Sequence, residues 1–343
     1  MKITIFSDIQ FNNWQEFSKI LPNGRNSRFQ DQLSVLDEIF NYTVESGSDI
    51  LIHNGDLFET LKDEINKALY LTVFDKFVEF SKNKKIVILL VGNHDQMGRF
   101  GENNVLKPFK EIDNVLVMDT STVENLGDVD LAFIPYTIGN FNSEVYHILD
   151  QLSGKQSYLF THQGISGAKV GPRDEPLKSE YGLKDFFQTH WLYIFNGHYH
   201  KRQIIGDKLQ IIGSPLQRDF GERNDEKGFL TLDTDTNRLD YITIQAAPWF
   251  FKVEGKKFQV PKGFRDDIDF LWYVGDEEPG SVPATIQNLR VDVVKEDGYK
   301  TRSEINISFP IEEQMRKWIE FVKTELDVSK LLEIGVRCWK KSL

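Results

Sequence analysis

The sequence predicts an α/β fold: two layered, mixed β-sheets flanked by helices, followed by a smaller α+β unit and C-terminal helices. Three observations carry this. Strand-like apolar runs alternate with helix-like periodic segments over the first 245 residues, as in sheets covered by helices. Three late strand-like runs then follow one another with short turns and no long helix. Near Ala247-Pro248 the character changes to a Pro- and Gly-punctuated stretch that reaches Pro283.

The elements follow in chain order. Strands are expected at Lys2 to Ser7, Ile50 to His53, Ile86 to Val91, Val115 to Met118, Leu131 to Pro135, Tyr158 to Thr161 and Leu192 to Phe195. Between them, Phe29, Leu33, Leu36, Phe40 and Val44 recur at helical spacing, and so do Ile65, Ala68, Leu69, Val73, Phe77 and Phe80. Both helices read as packing elements. The late strands, Gln210 to Ile212, Phe229 to Leu232 and Tyr241 to Ile244, read as a meander completing the second sheet. After a loop at Gly275 to Gly280, Arg290 to Val293 and Glu304 to Ile307 alternate as strands. Pro310 then opens a helix carrying Ile311, Met315, Trp318, Val322 and Leu326, and Leu331 to Trp339 forms a last helical segment. The expected division is a main domain at 1–246, a capping domain at 247–309 and helices at 310–343.

Bulk properties narrow the function. A chain of 343 residues is longer than a single core usually grows. Its longest apolar runs, such as Ile86 to Val91, are far short of a membrane span, and the first residues read as a strand and not as a signal peptide, so a cytoplasmic protein is expected. Cys338 is the single cysteine and cannot form an internal disulfide. A net charge of −11 argues against nucleic-acid binding through a uniformly basic surface. It leaves a nuclease open, because bound divalent cations would offset several carboxylates.

The chemistry lies in five short clusters, each at or just after a predicted strand end, where catalytic loops of layered folds usually sit. They are Asp8-Ile9-Gln10, Gly55-Asp56, Gly92-Asn93-His94-Asp95, His162, and Gly197-His198-Tyr199-His200. Divalent ions such as Mn²⁺, Fe²⁺ and Zn²⁺ take carboxylate oxygens, amide oxygens and neutral imidazoles, and the set offers all three. Glycines beside Asp56, Asn93 and His198 would let the backbone turn sharply. His198-x-His200 on an extended segment would place both imidazoles on one side. Each cluster alone has an ordinary structural explanation, whereas four of the seven histidines fall inside them. His53, His147 and His190 read as packing or surface residues.

The ordered clusters resemble the calcineurin-like metallophosphoesterase superfamily. Within it they look most like the SbcD-type nucleases of DNA double-strand-break repair, on Gly55-Asp56-Leu57-Phe58-Glu59 and on Gly213-Ser214-Pro215 through Arg218, Glu222 and Lys227-Gly228-Phe229. The resemblance covers roughly residues 1–245 and implies a layered metallophosphoesterase fold. It implies two divalent ions, Mn²⁺ with Mg²⁺ as the alternative. One would be held by Asp8, Gln10, Asp56 and His200, the other by Asp56, Asn93, His162 and His198, with His94 as the acid–base residue. Gln10 departs from the family pattern, which has histidine there, so the first ion is expected to be held loosely.

The resemblance further implies a nuclease acting on DNA ends and single strands, as a homodimer with a coiled-coil ATPase of the SbcC type. Arg99, Lys169, Arg173, Lys201, Arg202 and Arg218 stand as candidates for DNA phosphate contacts or as a solvated rim. The C-terminal apolar face with Trp318 and Trp339 could dock on that partner or pack on its own domain. Two alternatives share the site: a phosphodiesterase for small diesters or nucleotides, and a scaffold protein whose catalysis is weakened by Gln10.

Overall fold

A computed structural model describes residues 1–60, 65–97, 103–171, 175–178, 181–186, 188–255, 257–275, 278–279, 282–293, 311–322, 327, 329–332 and 334–336. In chain order the first half runs β1 (Lys2–Phe6), α1 (Ser27–Glu45), β2 (Ile50–Asn54), α2 (Lys67–Ser81), β3 (Ile86–Leu90), β4 (Val115–Met118), β5 (Thr122–Leu126), β6 (Val129–Ile134) and α3 (Phe141–Leu149). There follow β7 (Gln156–Thr161), the short β8 (Lys169–Val170) and β9 (Glu175–Pro176), β10 (Tyr193–Asn196), β11 (Gln203–Ile205), β12 (Leu209–Ile211), β13 (Gly228–Asp233) and β14 (Arg238–Thr243). Last come β15 (Phe250–Glu254), β16 (Phe270–Gly275), β17 (Leu289–Val293) and α4 (Ile311–Val322).

Two six-stranded mixed sheets form the main layers, ordered β14-β13-β1-β2-β3-β4 and β11-β12-β10-β7-β6-β5. The central strands are parallel and apolar on both faces, and they read in the sequence as unbroken apolar runs for that reason. Ile5, Ile52, Ile88 and Leu230 of one sheet meet Phe133, Phe160 and Phe195 of the other in a shared buried core. On the far face of the first sheet, Leu51, Val87 and Leu89 pack with α1 and α2. On the far face of the second, Ala132, Leu159 and Ile194 pack with Phe141, Val145 and Ile148 of α3. Asn26 and Asn66 cap α1 and α2, each side chain accepting two backbone N–H groups of the first turn.

The structure corrects several expectations. The late strands are not one meander. β12 completes the second sheet, but β13 and β14 return to the first, β13 pairing antiparallel with β1 from Lys2↔Asp233 to Ile5↔Leu230. The cause is burial, since Leu230 and Leu232 belong to the core between the sheets. In α1, Phe29, Leu33, Leu36 and Phe40 are buried as expected and Ile39 and Thr43 join them, but Val44 is exposed. In α2, Leu69, Val73, Phe77 and Phe80 are buried, and Ala68 in the first turn is exposed. Sequence reading passed over β5, β11, β15 and β16. His190 lies in a short 3-10 turn, Gln188–His190, ahead of β10.

The chain divides into two compact units. The first takes Met1–Lys252, Pro261–Leu271 and Ala284–Leu289, and the second the described residues of Val253–Val260, Trp272–Pro283 and Arg290–Leu343. In the second, the Trp272 indole N–H donates to Asp292 at 3.0 Å while the Arg290 guanidinium lies over its ring. Trp318 of α4 is 57% exposed, and its neighbour Ile319 is buried instead. Expectations for Glu304 to Ile307, Pro310, Leu326, Cys338 and Trp339 lie outside the described residues. No helix among the described residues is long and apolar enough to cross a membrane.

One side chain ties the sheets together. Asn54, at the end of β2 and fully buried, donates its amide to the carbonyl of Thr161 at 2.8 Å and of Phe195 at 3.2 Å, at the ends of β7 and β10. Asn54→Ala would leave both carbonyls short of a donor in a dry place. Urea unfolding should show a loss of about 1–3 kcal/mol with the denaturant slope unchanged, and a variant as stable as the parent would remove Asn54 from that role.

Candidate metal centre

The loops that follow β1, β2, β3, β7 and β10 leave the same edge of the two sheets and bring the five sequence clusters together. The backbone turns abruptly there. Asp8, Gln10, Asp56 and His198 all have φ between 46 and 77°, the left-handed region that side-chain-bearing residues rarely adopt. Hydrogen bonds between the loops fix these turns: Asp8 N donates to Gly55 O and Gln10 N to Asp56 O, both at 3.0 Å. From α1, the Gln32 amide donates to the carbonyls of Ile9 and Gln10, each at 2.8 Å. This helix therefore also positions the first loop.

The glycines act partly as expected. Gly55 has φ +97° and also lies against the His162 ring, while Gly92 and Gly197 matter for close approach alone. A Cβ on Gly92 would collide with the Asp56 carboxylate, and one on Gly197 with Ser7, Asn54 and the His162 ring. Asp95, the last residue of its cluster, is fully buried and accepts three backbone N–H groups, from Asp56 at 2.8 Å and from Phe58 and Gly92 at 3.0 Å. Burial and the charge of Asp56 push its carboxyl up to about 7.

At the centre, Asp8, Asp56 and His162 each present a ligand atom, all within 4.8 Å of one another. Asp8 accepts the His198 backbone N–H at 3.1 Å. His162 Nδ1 lies 2.8 Å from the Asn54 carbonyl, so that nitrogen carries a proton and Nε2 faces inward. Nε2 is buried without a hydrogen bond, 3.2 Å from Asp56 Oδ2 and 3.9 Å from Asp8 Oδ1. Burial alone would lower this imidazole, but Asp56 and Asp8 push it up to about 9. Burial alone would likewise raise Asp56, yet His162 and His94 hold it well below the usual carboxylate range. A buried nitrogen held between two carboxylates without a well-aligned hydrogen bond to either is what a divalent cation would satisfy.

Asn93 and His198 adjoin this trio, Nδ1 of His198 lying 2.9 Å from Asn93 Oδ1. Burial and the neighbouring His162 push His198 down to about 4, so it is a neutral donor. The segment is not extended, because His198 is left-handed and Tyr199 turns away to bond Ile165 through its hydroxyl. His200 instead faces Arg218, its Nε2 2.7 Å from Nη2 of the guanidinium, while Nδ1 lies 3.5 Å from Glu222. Burial, and then Arg218, hold His200 below its ordinary value. Gln10 donates its amide to Asp56 Oδ2 at 2.9 Å, and its oxygen accepts from Arg218.

His94 stands at the rim, half-buried. Its Nδ1 is 2.7 Å from Glu59 Oε1 and its Nε2 3.8 Å from Asp56. Burial pulls His94 down, but the Glu59 hydrogen bond and the charges of Asp56 and Glu59 raise it overall. A cleft of about 600 Å³ opens beside His198 and His200, bounded by Val170, Leu177, Asp219 and Glu222 among others.

Of the basic candidates, Arg218 turns into the centre, Lys201 pairs with Asp225 at 3.5 Å and Arg202 with Glu226 at 3.3 Å. Lys169 is exposed, and Arg99 and Arg173 lie outside the described residues. His53 is buried in β2 with both ring nitrogens unpartnered, pushed down to about 3 by burial and edge-on to Phe6. His147 sits in α3. Sequence reasoning missed Gln32, Asn54 and the inward turn of Arg218. The one signal for Gln32 in the sequence is a polar residue between Phe29 and Leu33 on an apolar helix face.

Comparison with known proteins follows the same lines. A family model described as calcineurin-like phosphoesterase matches residues 1–202. The chain is 27% identical over 219 residues to the DNA double-strand break repair protein Mre11 of Methanocaldococcus jannaschii, covering 59% of this chain and 56% of that protein. It is 24% identical over 221 residues to putative phosphoesterase 244L of Invertebrate iridescent virus 6, covering 62% and 74%. Against the SbcD component of the nuclease SbcCD of Staphylococcus epidermidis it is 26% identical over 247 residues, covering 64% of each chain. It thus spans little more than half the length of the archaeal relative.

Gly92→Ala tests the close packing around Asp56. The added methyl should displace the carboxylate and weaken Mn²⁺ binding by about tenfold or more in calorimetric titration. Unchanged affinity would show that Asp56 can shift without consequence.

Proposed function

The chain belongs to the calcineurin-like phosphoesterase family, and on that premise we propose that it is a divalent-metal-dependent nuclease hydrolysing phosphodiester bonds at DNA ends and in single strands. The observation that carries the proposal is the buried, unpartnered Nε2 of His162 facing Asp8 and Asp56, with His94 at the rim beside them. The name of the archaeal relative supports DNA as the substrate, and that of the staphylococcal relative supports nuclease action.

Asp56, Asn93, His162 and His198, with Asp8, are the residues whose donors fit a cation. The other set is different, because Gln10 and His200 direct their acceptors at Arg218. A bound divalent ion supplies a polarising charge for the phosphoryl oxygens and for the attacking water. The protein's own groups do the rest. The Asn54 carbonyl orients His162, and Asp8 holds the His198 backbone in place. Glu59 accepts from His94 Nδ1, which leaves the proton on Nε2 as the one to pass to the leaving oxygen.

In the same reading the chain dimerises and works with a coiled-coil ATPase of the SbcC type. The name of the staphylococcal relative and the exposed Trp318 on α4 support such a partner.

Purified protein with Mn²⁺ should degrade labelled linear DNA, and chelator should abolish this; no cleavage of any DNA, with or without the ATPase, would sink the reading. Faster turnover of bis(p-nitrophenyl) phosphate than of DNA would favour a small-diester enzyme. His94→Ala should lower DNA cleavage by about 10²–10⁴-fold, whereas a scaffold protein would show no such dependence. A general acid works while protonated, so activity should fall as pH rises through the His94 pKa. Glu59 raises that pKa, and Glu59→Gln should move the alkaline limb of the pH–rate profile to lower pH. A limb that stays in place would separate Glu59 from the proton.

A further inference from the structure

We propose that Arg218 stands in for one of the two cations implied by the family's ligand pattern, so that this chain holds a single divalent ion on Asp8, Asp56 and His162, with Asn93 and His198 alongside. This rests on the metal-dependent reading above and narrows it.

The donor set around Gln10 and His200 is already in use. Gln10 directs its amide NH₂ at Asp56 Oδ2, 2.9 Å away, and its oxygen at Arg218. A cation beside Asp56 on that side would meet amide hydrogens and not an oxygen. Flipping the amide does not free the site, since the NH₂ would then face the guanidinium. The orientation is dictated by having one acceptor, Asp56, on one side and a cationic donor, Arg218, on the other. His200 is committed likewise: its Nε2 lone pair faces Nη2 at 2.7 Å, and its Nδ1 faces Glu222.

Arg218 is held there from several directions. Its backbone N–H donates to Glu222 Oε2 at 3.2 Å, and the same oxygen lies 2.9 Å from the buried ammonium of Lys227. Lys227 also bonds the His200 carbonyl and the Ser214 hydroxyl. The guanidinium carbon lies 5.5 Å from the centre of the Trp14 ring. A guanidinium is charged at all working pH values, so a divalent ion between Gln10 and His200 would have to displace it against direct repulsion.

The departure at Gln10 and the placement of Arg218 thus explain each other. An imidazole at position 10 would offer a metal a strong donor, whereas an amide oxygen suits a guanidinium N–H. The carboxylates regroup to match: Asp8 joins Asp56 and His162, not His200. Planar and fork-shaped, the guanidinium offers its remaining N–H groups to a phosphoryl oxygen, a task a second metal would perform as a point charge.

The test is metal stoichiometry on the full-length chain, read without reference to turnover. Titration with Mn²⁺ followed by calorimetry and elemental analysis should give one ion per wild-type chain, with the hyperfine spectrum of an isolated ion. Gln10→His combined with Arg218→Ala, checked for intact fold by circular dichroism, should take up two and show an exchange-coupled pair. Wild-type protein that binds two coupled ions would overturn the proposal while leaving the nuclease reading intact. A folded double variant that still binds one ion would overturn the assignment to Arg218. DNA cleavage assayed on the same samples keeps the two readings apart.

Discussion

Everything at the centre depends on the Asn54 amide. Two sheets packed face to face share mostly apolar contacts across their interior, and such contacts fix separation better than they fix sliding. The candidate ligand residues come from both layers, Asp8, Asp56 and Asn93 from one and His162 and His198 from the other. A shift of about 1 Å between layers would spoil a metal site. By bonding the carbonyls of Thr161 and Phe195, Asn54 locks the layers in register at the edge where the ligands emerge. Its own backbone carbonyl accepts a hydrogen bond from His162 Nδ1.

The same edge concentrates backbone strain. Among the described residues with positive φ other than glycine, Asp8, Gln10, Asp56 and His198 form half of the group of eight. Each such residue costs of order 1–3 kcal/mol and persists only where its surroundings over-determine it. Here the surroundings are the loop-to-loop hydrogen bonds, the three N–H groups gathered by Asp95, and the dry core below. The strain has a use: a strand must reverse within a residue or two for its side chain to point back over the sheet edge.

Much of this fold is legible in the sequence for one physical reason. Parallel strands buried on both faces, such as Ile86–Leu90, leave continuous apolar runs that few other elements produce. The strand-end clusters were legible because aspartate, asparagine and histidine crowd beside glycines there. Pairing was not legible where it is long-range: nothing in Gly228–Asp233 says that its neighbour is β1 and not β12. β16 was hidden by its flanking loops, although Phe270 to Val274 is an apolar run. At the centre, spacing could nominate Gln10, His200 and Arg218 but not show that they face one another. That depends on Trp14 and on Glu222 and Lys227, which come from two stretches of chain about two hundred residues apart.

The return of β13 and β14 to the first sheet has a consequence for how the chain is made. β1 leaves the ribosome more than two hundred residues before its antiparallel neighbour. Until then β1 has an open edge, and the core between the layers lacks Leu230 and Leu232. Closing so distant a pair makes folding slow and leaves a strand edge available to other chains in the meantime. Synthesis halted after β12 would yield a chain with all of the candidate ligand residues and an unsealed first layer, prone to aggregate instead of binding metal.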